Sequence, residues 1–242
     1  LEKSDAIGGT WRDNTYPGAG CDVPSPLYSF SYEPTTRWKR RYALQDQILE
    51  YLRDVATKYG IVERIRFGHE VVSAQWDETT SSWSVGFADG SSDTVDVLVP
   101  AVGQLSRPVL PPIDGIDDFE GPSFHSAEWD HDVDLDGRRV AVVGAGASAI
   151  QFVPQIAERA AEVTVFQRSA NYILPKPDGP FPRWYAPAIR LERPLTWLAG
   201  EQFSRGLDDS SRVGRLQHAI AMRHLRSKVP DADLRAKLTP DY

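Results

Sequence analysis

One cysteine, Cys21, in 242 residues leaves no partner for an internal disulfide, and a reducing cytoplasm is the natural compartment for such a chain. No apolar run reaches the roughly 20 residues that span a bilayer. The nearest, Trp184 to Leu198, is broken by Pro187, Arg190, Glu192, Arg193 and Pro194, so no stable membrane insertion is expected. Positive charge is not in excess either: 27 Lys and Arg against 34 Asp and Glu leave a net charge of -7, the wrong sign for a nucleic-acid partner. The five histidines, at 69, 125, 131, 218 and 224, include no pair at the i, i+4 spacing of a helical zinc site, and no metal is expected. A G-x-S-x-G hydrolase elbow is missing, as are internal repeats and low-complexity tracts.

What is present is an ordinary globular composition, 41% hydrophobic and 25% charged, in a chain long enough for one large domain or two smaller ones. Residues 8–37, rich in Gly, Pro, Ser, Thr and aromatics, read as a long ordered loop of the kind that carries function. A helix is expected over 41–59, with Leu44, Ile48, Tyr51, Leu52 and Val55 at helical spacing and Gly60 as its stop. Strand-like runs at 70–76, 83–87 and 94–99, separated by turns, predict a small β-meander. Pro108, Pro111 and Pro112 mark a connector and a domain boundary. A second unit follows: strand 139–143, glycine turn, helix 147–160, strand 162–166. Beyond Pro175 come helices near 195–203, 211–228 and 231–238, the last with Asp231 as N-cap. The basic side of 211–228 reads as the solvated face of a helical insertion.

The chemistry lies in the glycine turn. Val140–Val143 runs into Gly144-Ala145-Gly146-Ala147-Ser148-Ala149, a G-x-G-x-x-A motif in a strand–turn–helix–strand setting. Gly144 permits the turn, Gly146 lets backbone amides approach a pyrophosphate, and small Ala149 lets the helix pack closely; Ser148 lies in the same loop. The next strand ends Gln167-Arg168. An NAD site places a carboxylate there; an arginine pairs with a 2′-phosphate, so NADP is the nucleotide expected. The alternative for Arg168 is a solvated surface arginine.

Just ahead of this unit lies Phe119, Gly121, His125, Trp129 and Asp130, spaced as F-x-G-x-x-x-H-x-x-x-W-D. Near the N-terminus, Gly9 to Asp22 fits G-x-W-x-x-x-x-[FY]-P-G-x-x-x-D. With the glycine turn, these two patterns resemble the type I Baeyer–Villiger monooxygenases, flavoenzymes that hold FAD and NADPH. The resemblance covers most of residues 1–175 and returns at Asp233–Pro240. It implies an α/β, two-dinucleotide-binding (Rossmann-like) architecture. Residues 1–104 would be a partial FAD-binding domain with the meander, 105–136 a linker, 137–175 the NADP-binding unit and 176–242 the helical insertion.

The family's residue roles follow. Leu1–Lys3 would end a strand whose Glu2 holds the FAD ribose. Thr10, Trp11, Arg12 and Asp13 would line the flavin, with Tyr28, Val71 and Gln104 also on FAD. Gly20, Cys21 and Asp22 would face NADP, and Asp22 would orient a catalytic arginine expected after Tyr242. Plain core packing is the alternative for Trp11 and Tyr28, a local turn for Asp22, and a structural histidine for His125. The family's own reading of the His125–Asp130 stretch is a hinge between domains. Cys21, beside an acid, reads as an inert thiol. The implied reaction is oxygen insertion next to a ketone carbonyl, by a flavin peroxide formed with dioxygen, giving an ester or lactone. The alternatives are an N- or S-oxygenating flavin monooxygenase and a non-catalytic NADP-binding module. Because Leu1 is not methionine and the family's first glycine motif should precede it, the chain is expected to be a fragment.

Overall fold

A computed structural model describes residues 1–206 and 211–241; Tyr242, the last residue of the expected terminal loop, lies outside them. The protein is mixed α/β. In chain order it forms α1 (Thr10–Asp13), α2 (Gln45–Lys58), β1 (Val71–Asp77), β2 (Ser82–Phe87), β3 (Ser92–Val95), β4 (Arg139–Val143), α3 (Ala147–Ala157), β5 (Glu162–Phe166), α4 (Ala186–Arg205), α5 (Arg212–Lys228) and α6 (Ala232–Lys237). The chain divides into two compact units, one of residues 1–15 and 45–129, the other of 16–44 and 130–242. Residues 16–44, expected with the N-terminal portion, group with the second unit.

In the first unit α1 packs on α2. Helix α2 buries Ile48, Tyr51 and Val55, the apolar stripe the spacing predicts. It starts at Gln45 rather than near 41. β1, β2 and β3 form the antiparallel meander, with β2 in the centre. Only β2 has a clearly buried side, the one carrying Val85 and Phe87, while Ser82 at the start of the strand is buried on the opposite face. β3 begins earlier and ends sooner than expected. The tight turn at Gly90 (φ 85°), fixed by Asp89 accepting from the Ser91 amide at 2.9 Å, starts the pairing at Ser92. Val97 and Val99, expected in this strand, are 76% exposed.

In the second unit β4 and β5 pair in parallel, in register from Arg139 with Glu162 to Val143 with Phe166. The helix between them buries Ala149, Phe152 and Ile156 at helical spacing. It ends at Ala157, three residues short of the expectation, and runs through Pro154. The backbone of 39–44, partly expected as helix, is not helical: it bends at Arg41 and Tyr42 between isolated bridges at Arg40 and Leu44. Cys21 N–H donates to Ala43 O at 2.9 Å, Arg41 N–H to Gly179 O at 3.0 Å and Phe181 N–H to Lys39 O at 2.7 Å. These partners replace helical hydrogen bonds, which is why α2 starts late. α4 begins at Ala186, not near 195: Pro187 suits a first turn, and the helix continues through Pro194. Asp231 caps α6 as expected, accepting from Leu234 N–H at 2.6 Å, and Ser211 caps α5 in the same way.

Candidate dinucleotide site

The glycine turn is built from both of its neighbouring strands. Gly144 lies at φ 107°, a region closed to other residues, and donates its N–H to Phe166 O at 2.8 Å. The Asn171 amide then donates to Ala145 O at 2.6 Å, so the turn is pinned from the far side of β5. Gly146 is the N-cap of α3, with ordinary backbone angles. A Cβ built on Gly144 or Gly146 meets no atom within 4 Å, so the turn is open. The first amides of α3 have no intrahelical acceptor and carry the positive end of the helix dipole. Ala149 is buried beneath them, as the close packing of helix on strands requires. Gln167 and Arg168 follow β5 directly and are exposed. Arg168 makes no ion pair among the described residues, so its guanidinium is available at the strand end.

Gly20, Cys21 and Asp22 belong to this same unit and are tied to it by a residue that sequence reading missed. Gln151, one turn into α3, accepts from Tyr16 Oη at 3.0 Å and from Gly20 N–H at 3.1 Å. Its amide donates to Gly20 O at 3.0 Å. The available signal was a glutamine set between the buried Ala149 and Phe152. Gly18 (φ 77°) passes so close that a Cβ there would lie 2.9 Å from Gln151 O. A cavity of about 360 Å³ opens beside this contact, lined by Gly18, Gly20, Cys21, Gln151, Gln155 and Lys176 among others.

Cys21 is buried. Burial pushes its thiol up from the ordinary range and the Asp22 charge adds to this, while the Val23 amide and Lys176 pull the other way. The thiol is therefore expected to react with a disulfide reagent at least about tenfold more slowly than a free cysteine, and at the free rate once the chain is unfolded in urea. Asp178 anchors the neighbouring wall through a 2.7 Å ion pair with Arg40. Burial works against its charge, but Arg40, the Gly179 amide and Lys176 hold the carboxyl below its usual value. A depressed folded-state value means that this pair stabilises the fold above the ordinary carboxylate range and that the stabilisation is lost as pH falls through the depressed value. An acid denaturation curve should thus show a shallower acid limb for Asp178→Asn than for the parent chain.

The residues expected on FAD are divided. Glu2, Thr10, Trp11, Arg12, Asp13, Val71 and Gln104 lie in the first unit and Tyr28 in the second. Leu1–Lys3 forms no strand; Glu2 instead exchanges backbone hydrogen bonds with Arg66 and His69 at 3.1 and 3.0 Å. Arg12 holds the local cluster together. It reaches both oxygens of Asp13 at 2.7 and 3.1 Å, the Ala6 carbonyl, and Glu2 at 3.6 Å. The Gln45 side chain donates to Trp11 O, and Thr10 begins α1. Gly8 makes room: a Cβ there would sit 2.6 Å from the Leu49 side chain. Val71 opens β1 and Gln104 occupies an exposed turn. No hydrogen bond or ion pair among the described residues joins either to the Arg12 cluster.

The His125 stretch resolves into local roles. His125 Nδ1 accepts from Ala127 N–H at 3.1 Å and caps a single 3-10 turn. The Phe124 and Trp129 rings meet edge-on at 5.2 Å. Asp130 accepts from the Asp132 amide at 2.9 Å. The exposed Phe119 ring lies where a Cβ on Gly121 would fall. One of the three points at which the chain passes between the two compact units falls between Trp129 and Asp130.

A parallel strand–glycine turn–helix–strand with an open turn defines a dinucleotide-binding unit of the Rossmann kind. The chain belongs to the flavin-binding monooxygenase-like (FMO-like) family, which matches residues 1–182. A Baeyer-Villiger monooxygenase of Streptomyces coelicolor is 42% identical over 250 residues, covering all of this chain and 48% of that protein. Among solved structures, an oxidised steroid monooxygenase bound to NADP superposes with a TM-score of 0.84 at 32% identity, covering 99% of this chain and 54% of the other. A cyclohexanone monooxygenase from Rhodococcus sp. Phi1 bound to NADP+ gives 0.84 at 27% identity, covering 100% and 54%. The chain spans about half the length of the curated relatives it matches.

Proposed function

We propose that this chain forms the NADP-binding unit and part of the FAD-binding domain of an NADPH- and FAD-dependent monooxygenase. Its architecture would be the two-dinucleotide-binding, Rossmann-like one, with residues 137–175 at the NADP site and 176–242 as a helical insertion. The reaction is oxygen insertion beside a ketone carbonyl, using dioxygen, to give an ester or lactone. The observation that carries this reading is the open turn at Gly144–Ala149 followed by Arg168, which makes no ion pair among the described residues. Whole-chain similarity to Baeyer-Villiger monooxygenases supports it. The single buried Cys21 suits a reducing cytoplasm.

Within the site, the amides opening α3 take the pyrophosphate and Arg168 pairs with the 2′-phosphate. Ser148 adds a hydroxyl beside the phosphates. Gln151 holds the Gly20–Asp22 segment against α3, and Asp22 presents a carboxylate to orient a cation. Arg12, bridging Asp13 and Glu2, fixes α1 and the adjacent loop, where Thr10 and Trp11 face the flavin, with Tyr28, Val71 and Gln104 as its further contacts. His125 and the Phe124–Trp129 pair stiffen one of the three peptides that pass between the units, so that bending of that peptide concentrates at Trp129-Asp130. When bound, FAD and NADPH supply the redox chemistry that activates dioxygen; the protein positions them and excludes water.

A product assay on the full-length enzyme tests the reaction class. A cyclic ketone should be converted to its lactone faster than a thioether or an amine is oxidised. Faster oxidation of the heteroatom substrates would favour an N- or S-oxygenating enzyme of the same family.

A further inference from the structure

Lys176 has no role in the reading above, yet its ammonium is the most fully engaged in the second unit. It donates to Asp22 Oδ1 at 2.9 Å and to the Cys21 carbonyl at 3.2 Å. It also lies 4.5 Å from the centroid of the Tyr42 ring. A lysine has three N–H donors on a flexible stem, and holding it on three partners costs rotamer entropy. The return in stability is small, because the Asp22 side chain is 62% exposed and such pairs contribute little. What the contact achieves is geometric. Gly20 is held at both its N–H and its carbonyl by Gln151, and Cys21 N–H by Ala43. Lys176 takes the polar groups left over, the Cys21 carbonyl and the Asp22 carboxylate. With Lys176 in place, the segment from Gly20 to Asp22 has one position beside the cavity next to α3.

We infer that Lys176 is a positioning residue for NADP(H), acting through Cys21 and Asp22 on the half of the dinucleotide that lies beyond the pyrophosphate. This rests on the proposed function. A pyrophosphate on the α3 amides and a 2′-phosphate on Arg168 account for the adenosine half. The other half is left to meet the polar wall of Gly20, Cys21, Gln151 and Lys176, behind which Asp22 holds the lysine. Lys176 also acts on Asp178, whose carboxyl it helps hold in the charged form. One ammonium thereby links Asp22 with Asp178, which lines the cavity.

The test is a titration of the purified chain with NADP+ and with adenosine 2′,5′-bisphosphate, which lacks the nicotinamide half. Lys176→Met should raise the Kd for NADP+ about tenfold, the worth of one charge-assisted hydrogen bond. The bisphosphate Kd should stay within about twofold, and Lys176→Arg should recover most of the NADP+ affinity. The melting temperature of Lys176→Met should match that of the parent within about 3 °C. Unchanged NADP+ binding in Lys176→Met overturns the inference, as does an equal loss for both ligands, which would mark a general structural role. If the parent chain binds neither ligand, the proposed function falls and takes this inference with it.

Discussion

Replacing Gly146 with aspartate is expected to abolish NADP(H) binding while leaving the fold intact or slightly more stable. Two facts combine here. A Cβ at this position meets nothing within 4 Å, and the backbone angles, φ -74° and ψ -176°, are open to any residue. The position is also the N-cap of α3, where aspartate is among the preferred residues. The protein alone therefore has no reason to resist the change. The ligand does, because the new carboxylate stands where the pyrophosphate must approach the helix amides. Affinity should fall by at least about a hundredfold, or about 3 kcal/mol, with the melting temperature unchanged or raised. Calorimetric titration beside a thermal melt reads both. Binding retained within about threefold would mean that the open turn is not the phosphate cradle.

Gln151→Leu should have the opposite profile, damaging the fold first. The glutamine satisfies the Tyr16 hydroxyl and both polar groups of Gly20. Leucine leaves three part-buried groups without partners, at about 1 kcal/mol each and about 3 kcal/mol together. Gln151→Glu keeps the acceptor for Tyr16 and Gly20 N–H but loses the donor to Gly20 O, so it should fall between the two. Urea denaturation followed by tryptophan fluorescence measures the difference. Leucine costing under about 0.5 kcal/mol would show that the strand at Gly20 does not depend on this side chain.

Much of this arrangement is legible in the residues, for identifiable reasons. β4 and β5 match their expected bounds because Val140–Val143 and Val163–Phe166 are short, apolar and bounded by turn residues. The α3 start follows from Gly146, and Asp231 announces α6. The misses share one cause: backbone hydrogen bonds between distant segments leave no local pattern. Leu44 completes an apolar helical spacing, yet it forms a bridge with Gly20 and is 37% exposed. Arg41 belongs to the same periodic run but is held by Gly179 and by a 2.7 Å ion pair with Glu192. Residues 94–99 read as strand because Val95, Val97 and Val99 alternate, but a pairing set by the turn at Gly90 ends at Val95. In the proposed site, Gly144, Gly146 and Arg168 were readable because the glycine turn and the end of the next strand are each marked by local sequence. Gln151, Asn171 and Lys176 were not, since each acts on a segment far away in sequence.

The central claim is that Gly144–Ala149 and Arg168 together select NADP(H). Calorimetric titration of the chain with NADP+ and NAD+, alone and as Arg168→Ala, tests it most directly. The account predicts that NADP+ binds more tightly than NAD+ by at least about tenfold, and that Arg168→Ala removes this preference by weakening NADP+ while leaving NAD+ almost unchanged. Equal affinities for the two nucleotides in the parent chain, or a preference that survives the loss of Arg168, would contradict it.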